Sequence, residues 1–243
     1  MNARLVTLLA AALLLAGCST EEGLHAQELL QRAEAAQAKL RSSTFEGSLG
    51  VSADGQTFKV SFNGATSKDG EWFSMRTSGI PGAGAMAMQV LVRGGRAWMN
   101  DGTRWQSVPV PSGTGLNAGS NGTVSAAAFQ ELARYVEDVR VTEHQMIAGK
   151  PVTTIAGEID TAGMMESFAK LGSLAEDMSL DLSELGLDIG DIHAVLTIDE
   201  RTHLLDSALV SFELKADGKS VKLDLRYRLA SANKPVTLPA SPR

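Results

Sequence analysis

The sequence predicts an α+β fold in which about eleven mostly antiparallel strands form a strongly curved sheet wrapped around inserted helices. Residues 43–106 consist of short alternating runs separated by two-residue turn signals. Two later stretches have helical spacing instead, and the chain closes in strict period-two alternation. Hairpin-linked strands with one apolar face need a cover, which the inserted helices would provide.

The composition excludes several classes of protein. The chain has 243 residues, of which 44% are hydrophobic, and 22 Lys and Arg against 28 Asp and Glu give a formal net charge of −6. This is an ordinary globular composition. No stretch approaches the roughly 18 apolar residues of a spanning helix, which rules out a polytopic membrane protein. Without a Lys/Arg cluster to neutralise phosphates, no nucleic-acid partner is expected.

The N-terminus has the pattern of an export signal. Arg4 precedes an apolar run from Leu5 to Ala16, and Gly17 and Cys18 follow at once. This order predicts a lipoprotein signal peptide over residues 1–17. The segment Leu15-Ala16-Gly17-Cys18 resembles the lipobox of bacterial lipoproteins, in which the cysteine is lipidated and becomes the new N-terminus. The alternative is a buried free cysteine in a short core helix.

Cleavage there would leave a tethered, acidic chain. It removes Arg4 and no acid, so the net charge becomes −7 (21 − 28). Residues 18–23 would form a lipidated tether that holds the exported protein on the outer face of the cell membrane, since acyl chains contribute about 0.8 kcal/mol per buried CH₂. Cys18 is the sole cysteine, so the fold has no disulfide and depends on its hydrophobic core.

The elements of the exported part begin with a helix. Residues 24–41 place Leu29, Ala33, Ala36 and Leu40 on one stripe. Hairpins then follow over residues 43–106, with turns at 54–55, 69–70, 94–95 and 101–102. Residues 109–123 are rich in Gly, Ser, Asn and Pro and are predicted to be a loop.

The second half repeats this alternation of helices and strands. Helical spacing returns with Phe129, Leu132, Ala133 and Val136, and strands are predicted over 137–147 and 151–159. A third helix is predicted from Thr161, and a leucine-rich piece, 180–189, leads onward. The chain closes with three predicted strands, over residues 192–199, 203–215 and 220–230. They complete a single domain of residues 24–234, and residues 235–243 form a loose tail.

A family resemblance rests on these elements taken together. It is carried by the lipobox, the leading helix, the hairpin series, the segment Gly94-Gly95-x-Ala97-Trp98-Met99 followed by Trp105, and the strand 152–160 before a helix. In this order the chain resembles the LppX/LprG-type lipoproteins of actinobacteria, within the LolA/LolB-like superfamily. The resemblance implies an unclosed antiparallel β half-barrel covered by helices. Its concave face would hold acyl chains of lipids or glycolipids during transport across the cell envelope, without a cofactor.

The residues themselves favour a cavity. Seven Phe, three Trp and two Tyr are few for a half-barrel of this many strands, and nine Met offer adaptable apolar side chains, although Met also fills ordinary core gaps. The candidates for ligand binding lie on predicted apolar faces, and a register error of one residue would turn a strand's whole set outward. They are Phe58, Val60, Phe62, Met88, Val90, Phe168, Leu171, Phe212 and Tyr227.

Catalytic and metal motifs are not evident. The four histidines have no metal-ligand spacing, so no metal site and no cofactor are expected. Asp191 precedes His193, and Asp199 and Glu200 precede His203, but acids at a predicted turn are ordinarily solvated turn residues. No nucleophile elbow, P-loop or His-Glu-x-x-His occurs. We therefore expect no catalytic residue and no enzyme.

Three hypotheses remain for function. The first is a membrane-anchored carrier of lipids or glycolipids that works with an envelope transporter. The second is an envelope interaction or sensory lipoprotein with a protein-binding surface, which predicts a filled core and an exposed apolar patch. The third, a hydrolytic enzyme, rests only on the acid and histidine neighbours.

Overall fold

The computed structural model describes residues 23, 25–53, 55–79, 86–108, 135–160, 188–216 and 219–242. Within them one helix, α1, includes residue 23 and residues 25–37 and ends in a turn at 38–39, before the predicted end at residue 41. Its buried stripe is Ala26, Leu29, Leu30, Ala33 and Gln37. Ala36, predicted for this stripe, is half-buried. Across the described residues, no helix is both long and apolar enough to cross a membrane.

All twelve described strands belong to one antiparallel sheet. They are β1 (Ser43–Ala53), β2 (Gln56–Ser67), β3 (Gly70–Ser78), β4 (Ala87–Arg93), β5 (Arg96–Asn100), β6 (Trp105–Val108), β7 (Val136–Ile147), β8 (Lys150–Ile159), β9 (Asp188–Ile189), β10 (Ile192–Asp199), β11 (Leu205–Ala216) and β12 (Lys219–Ala232). The strand order is β6-β5-β4-β3-β2-β1-β12-β11-β10-β8-β7, and β9 pairs with β11. Because β6 and β7 lie at opposite edges, the sheet is open.

The open antiparallel half-barrel confirms the predicted fold class. The strands agree closely with the sequence pattern; the additional one is β9, a two-residue strand at the end of the predicted leucine-rich piece. Val136 begins β7 rather than continuing a helix. The remaining predicted helical residues, at 129–133 and from Thr161, lie outside the described residues. Among the described residues, helical cover for the sheet comes from α1 alone.

Two hairpin turns show why the strands are joined where they are. Gly94 and Gly95, between β4 and β5, have φ of 57° and 72°, and Ala148 and Gly149, between β7 and β8, have φ of 49° and 79°. Two successive positive φ values are those of a type I′ turn, whose twist matches that of the flanking strands. The glycines adopt this backbone at little cost.

The hydrophobic core lies between α1 and the half of the sheet formed by β7, β8, β10 and β11. Ala26, Leu29, Leu30 and Ala33 of α1 belong to one buried cluster with side chains of these strands, including Ile155 and Leu196, each 1% exposed. Phe212 and Tyr227 pack against this cluster. Thus α1 identifies which face of the sheet is interior.

The beginning and the end of the domain are joined beside this core. β1 pairs with β12 from Ser43 opposite Ala232. The Arg41 N–H donates to Asn233 Oδ1 at 2.9 Å, and Ser42 Oγ donates to the Lys234 carbonyl at 2.7 Å. Residues 235–242 form neither helix nor strand.

Candidate functional site

The register divides the sheet into two faces. Successive side chains of a strand alternate, and paired residues share a face. On β1 and β12, Phe45 is opposite Leu229 and Leu49 is opposite Leu225; Val210 of β11, in the core cluster with α1, is also opposite Leu225. We call the face that carries these residues the inner face and the opposite one the outer face.

The inner face brings together seven of the nine predicted ligand-binding residues. Along β2 and β3, Phe58, Val60 and Phe62 share this face with Thr77 and Met75. The other four are Met88, Val90, Phe212 and Tyr227. Phe168 and Leu171 lie outside the described residues. The predicted facing of these strands therefore holds, and their contact with a ligand stays a prediction.

Cover on this face is uneven. In the half that packs against α1, Ala194 and Ile198 are 0% exposed. Toward β2, β4 and β12, by contrast, Phe58, Val60, Phe62, Met88 and Val90 are only half-buried, and Leu225 is 36% exposed. The inner face is thus mostly apolar, with a packed half and a half in which burial varies, since Val92 and Phe45 there are only 2% and 6% exposed.

Two phenylalanines of β1 and β2 lie over glycines of the neighbouring strand. Gly47 of β1 is opposite Phe62 of β2, and Phe45 is opposite Gly64. A Cβ added at Gly47 would overlap the Phe62 ring, and one added at Gly64 would overlap the Phe45 ring. Each ring therefore occupies the space that a side chain would take on the neighbouring strand, which keeps the apolar layer on the sheet thin.

A carboxylic acid interrupts this apolar surface. Glu71 of β3 is opposite Thr66 and Val92, and its Oε2 atom is buried without a hydrogen-bond partner in the part of the chain that the structure describes. Burial raises the pKa of Glu71 to about 7. It borders a cavity of about 20 Å³, together with Phe45, Phe73 and other residues. That volume is room for one water molecule.

A second polar group is buried at the end of α1. Gln37 is 0% exposed, and neither its amide nitrogen nor its amide oxygen has a hydrogen-bond partner among the described residues. Buried side-chain amides are almost always paired, because an unpaired one costs about 1–3 kcal/mol. The sequence analysis missed both Gln37 and Glu71. Their positions on an otherwise apolar helical stripe and an apolar strand face were the available signal.

The acid and histidine neighbours of the sequence are arranged as turn contacts. The Asp199 carboxylate accepts from the N–H groups of Arg201 and Thr202 at 2.9 and 3.1 Å, so it caps the turn between β10 and β11. The neighbouring Glu200 reaches a different histidine, His144 of β7, at 3.2 Å. Sequence spacing did not predict this pair because β7 and the turn are distant along the chain.

Thr153 completes the contact between Glu200 and His144. Its hydroxyl donates to Glu200 Oε1 at 2.6 Å and lies 2.9 Å from His144 Nδ1. The hydrogen bond from Thr153, followed by that from His144, lowers the pKa of Glu200. Since the threonine proton points to a carboxylate rather than to the imidazole, this arrangement does not generate a nucleophile. It holds the β7–β8 hairpin against the turn.

Metal ligands do not cluster in the described part of the chain, where no group of three His, Cys, Asp or Glu residues is close enough to hold an ion. Asp191 and His193 are both exposed, and His193 is opposite Ser211 on the outer face. The expectations of no metal, no cofactor and no enzymatic activity stay predictions.

Comparison with known proteins gives similar structures only. No protein-family model and no curated protein match the chain. Among solved structures it is similar to LprF from Mycobacterium bovis, with 17% identity, a TM-score of 0.46, and coverage of 89% of this chain and 96% of that one. It is also similar to LppX from Mycobacterium tuberculosis, with 14% identity, a TM-score of 0.45, and coverage of 88% of this chain and 98% of that one. A third similar structure is a LolA superfamily protein from Nitrosomonas europaea, with 9% identity, a TM-score of 0.28, and coverage of 85% of this chain and 94% of that one.

The predicted resemblance to LppX-type lipoproteins is therefore confirmed as a similarity of structure. With identities below 20% and TM-scores below 0.5, function has to be derived from the residues of this chain.

Proposed function

We propose that the chain is a membrane-anchored lipoprotein that binds acyl chains of lipids or glycolipids on its inner face and carries them across the cell envelope. Its anchor would be acyl groups on Cys18, at the outer face of the cell membrane. One observation carries the proposal: a mostly apolar inner face on which several side chains of β2, β4 and β12 are only partly buried. Exposed apolar surface of this kind is typical of a binding site.

The energetics agree with this use of the surface. Each Å² of apolar surface withdrawn from water contributes about 25 cal/mol, and an acyl chain is long enough to cover several side chains in a row. Phe58, Val60 and Phe62 form such a row along β2. The cavity of about 20 Å³ near Glu71 is too small for an acyl chain, so the ligand would lie along the inner face.

The buried polar groups support a ligand with a polar end. The amide of Gln37 and the Oε2 atom of Glu71 lack partners among the described residues. A hydroxyl of a glycolipid or glyceride can donate to either group, and it would remove the cost of leaving them unpaired. Ligand pockets commonly combine a large apolar lining with a few such polar groups.

Native mass spectrometry tests the proposal. The processed chain, residues 18–243 with Cys18→Ala, would be produced in an actinobacterial host, and bound lipid would be extracted and identified. We expect a stoichiometric adduct with several acyl chains. A clean protein mass, together with failure to bind a fluorescent fatty acid, would refute acyl binding.

A matched pair of variants localises the binding. Leu225 and Leu209 lie on neighbouring strands, but Leu225 is on the inner face and Leu209, opposite Arg226, is on the outer face. Leu225→Gln should weaken binding of the fluorescent fatty acid, whereas Leu209→Gln should not. Equal affinities of the two variants would place the ligand elsewhere.

A second candidate function is an envelope interaction module. The apolar tip of the β7–β8 hairpin favours it, because Met146 is 63% exposed and Ile147 is 42% exposed. Such a tip suits a protein partner, for example an envelope transporter. Under this alternative the purified chain carries no lipid, and Met146→Ser with Ile147→Ser abolishes capture of the partner.

A further inference from the structure

The outer face carries an unusual distribution of charge for an acidic protein. On β1, β2, β3 and β12 it presents five cations, Lys59, Arg76, Lys222, Arg226 and Arg228, and two acids, Glu46 and Asp224. Both acids are already engaged. Glu46 lies 3.6 Å from Arg228, and Asp224 lies 3.9 Å from Lys222 and accepts from Ser211.

Three other cations on this face have no acidic partner among the described residues. Lys59, Arg76 and Arg226 are exposed, and no carboxylate of the described residues lies within salt-bridge distance of them. Since the whole chain has a net charge of −6, these cations form a local surface of the opposite sign. An anion placed between these cations is attracted by each of them.

The register gives the cations a defined geometry. Arg76 is opposite Ser61, Ser61 is opposite Ser48, and Ser48 is opposite Arg226, so a row crosses four adjacent strands. With strands about 4.8 Å apart, the two arginine Cα atoms are roughly 14 Å apart. Both side chains rise on the same face, over a floor of two serine hydroxyls.

This row lies in an open depression of about 590 Å³, which we call the basic depression. Lys59, Arg76, Arg226 and Arg228 are its cations, and Ser48 and Ser61 are on its floor. Guanidinium groups bind phosphate through paired N–H donors, and serine hydroxyls add further donors. The chemistry matches a phosphate group with room beside it for a larger headgroup.

We propose that the basic depression binds the phosphodiester headgroups of an anionic lipid bilayer, and so docks the outer face of the sheet on the membrane. The choice of a bilayer rather than a soluble phosphate rests on the proposed function, since a Cys18 anchor would keep the chain at a membrane surface. Charge complementarity supports this occupant: cations near an anionic membrane each contribute about fivefold to binding.

The test is vesicle co-sedimentation of residues 18–243 with Cys18→Ala, which is suitable because every described element begins at residue 23 or later. Vesicles of phosphatidylcholine with one phosphatidylglycerol in three are compared with pure phosphatidylcholine at low salt. We expect binding to the anionic vesicles only, and weaker binding as salt screens the charges. Equal binding to both kinds of vesicle would overturn the proposal.

Charge variants locate the contact. Arg76→Ala with Arg226→Ala should weaken binding about thirty-fold. Arg76→Gln with Arg226→Gln gives the same result while keeping longer side chains on the sheet. The matched control is Arg96→Ala with Arg104→Ala, which removes two exposed arginines outside the depression. An equal loss in this control would show a general charge effect and would overturn the proposal.

Two further measurements are needed. The first distinguishes a bilayer from a soluble phosphate compound as the source of the anion, and the second distinguishes this proposal from the proposed function. Inorganic phosphate should not displace the chain from vesicles at concentrations that leave ionic strength unchanged; displacement would indicate a soluble phosphate compound and overturn the bilayer as the source. The arginine variants should bind the fluorescent fatty acid like the unmodified chain. Vesicle binding without fatty-acid binding in the unmodified chain would refute the proposed function and leave the basic depression standing.

Discussion

Glu71 should make the stability of this protein fall as the pH rises. Burial among apolar side chains of the inner face raises the pKa of Glu71 from 4.5 to about 7. Between these values the folded chain binds more protons than the unfolded chain, so the free energy of unfolding decreases with pH. The stabilisation is complete below about pH 4.5 and is lost as the pH rises through about 7.

The size of the effect follows from the same shift. A change from 4.5 to about 7 corresponds to about 3 kcal/mol if it is fully expressed. Because the carboxyl group is only partly buried, solvent screening reduces this to roughly 1–2 kcal/mol. Glu71→Gln keeps the shape and removes the charge. Relative to the unmodified chain, this variant should therefore gain roughly 1–2 kcal/mol between pH 4.5 and 8.

Urea unfolding at a series of pH values measures this difference. Glu158→Gln, which changes an exposed acid on β8 in the same way, serves as the control and should follow the unmodified chain at all pH values. If the curves of the unmodified chain and Glu71→Gln run parallel from pH 4.5 to 8, the carboxyl group is not desolvated on the inner face. The interpretation of Glu71 as an interior acid would then be wrong.

Three further predictions concern stability, and urea midpoints measure each of them. Gly47→Ala should destabilise the sheet by about 1–3 kcal/mol because its Cβ would overlap the Phe62 ring; Gly50→Ala, on the same strand with its nearest neighbouring atom at 3.9 Å, should be tolerated. Leu30→Ala should cost about 2–5 kcal/mol, since Leu30 is 3% exposed under α1. Asp199→Ala should cost about 1–3 kcal/mol through the lost turn cap, and Asp199→Asn less.

Local pattern predicted most of the sheet. The alternation of Leu223, Leu225, Tyr227 and Leu229 with charged residues determines the facing of β12, because period two leaves a single choice when one face is apolar. The glycine and aspartate turn signals located the hairpins for the same local reason. The two-residue β9 was missed since two residues carry no period.

Non-local pairing explains what the sequence did not reveal. The basic depression depends on β1 lying beside β12, where Ser48 is opposite Arg226 although they are far apart along the chain. Arg76 is an isolated cation in the sequence and is far along the chain from Arg226, so their placement on one face was not visible. The same reason hid the contact between His144 and Glu200. Side chains that meet across strands can be found only once the register is known.

The alternation of β12 also makes the two proposed surfaces separable. Arg226 and Arg228 point to the outer face, and Tyr227 between them points to the inner face beside Phe45, with ring centroids 6.0 Å apart. The apolar and the basic surface are thus separated by one layer of backbone. Arg226→Ala should reduce vesicle binding while fatty-acid binding persists, and Leu225→Gln should do the reverse, because Leu225 is on the inner face and does not line the basic depression. If both variants lost both activities, a change in the sheet itself, and not either surface, would be the cause.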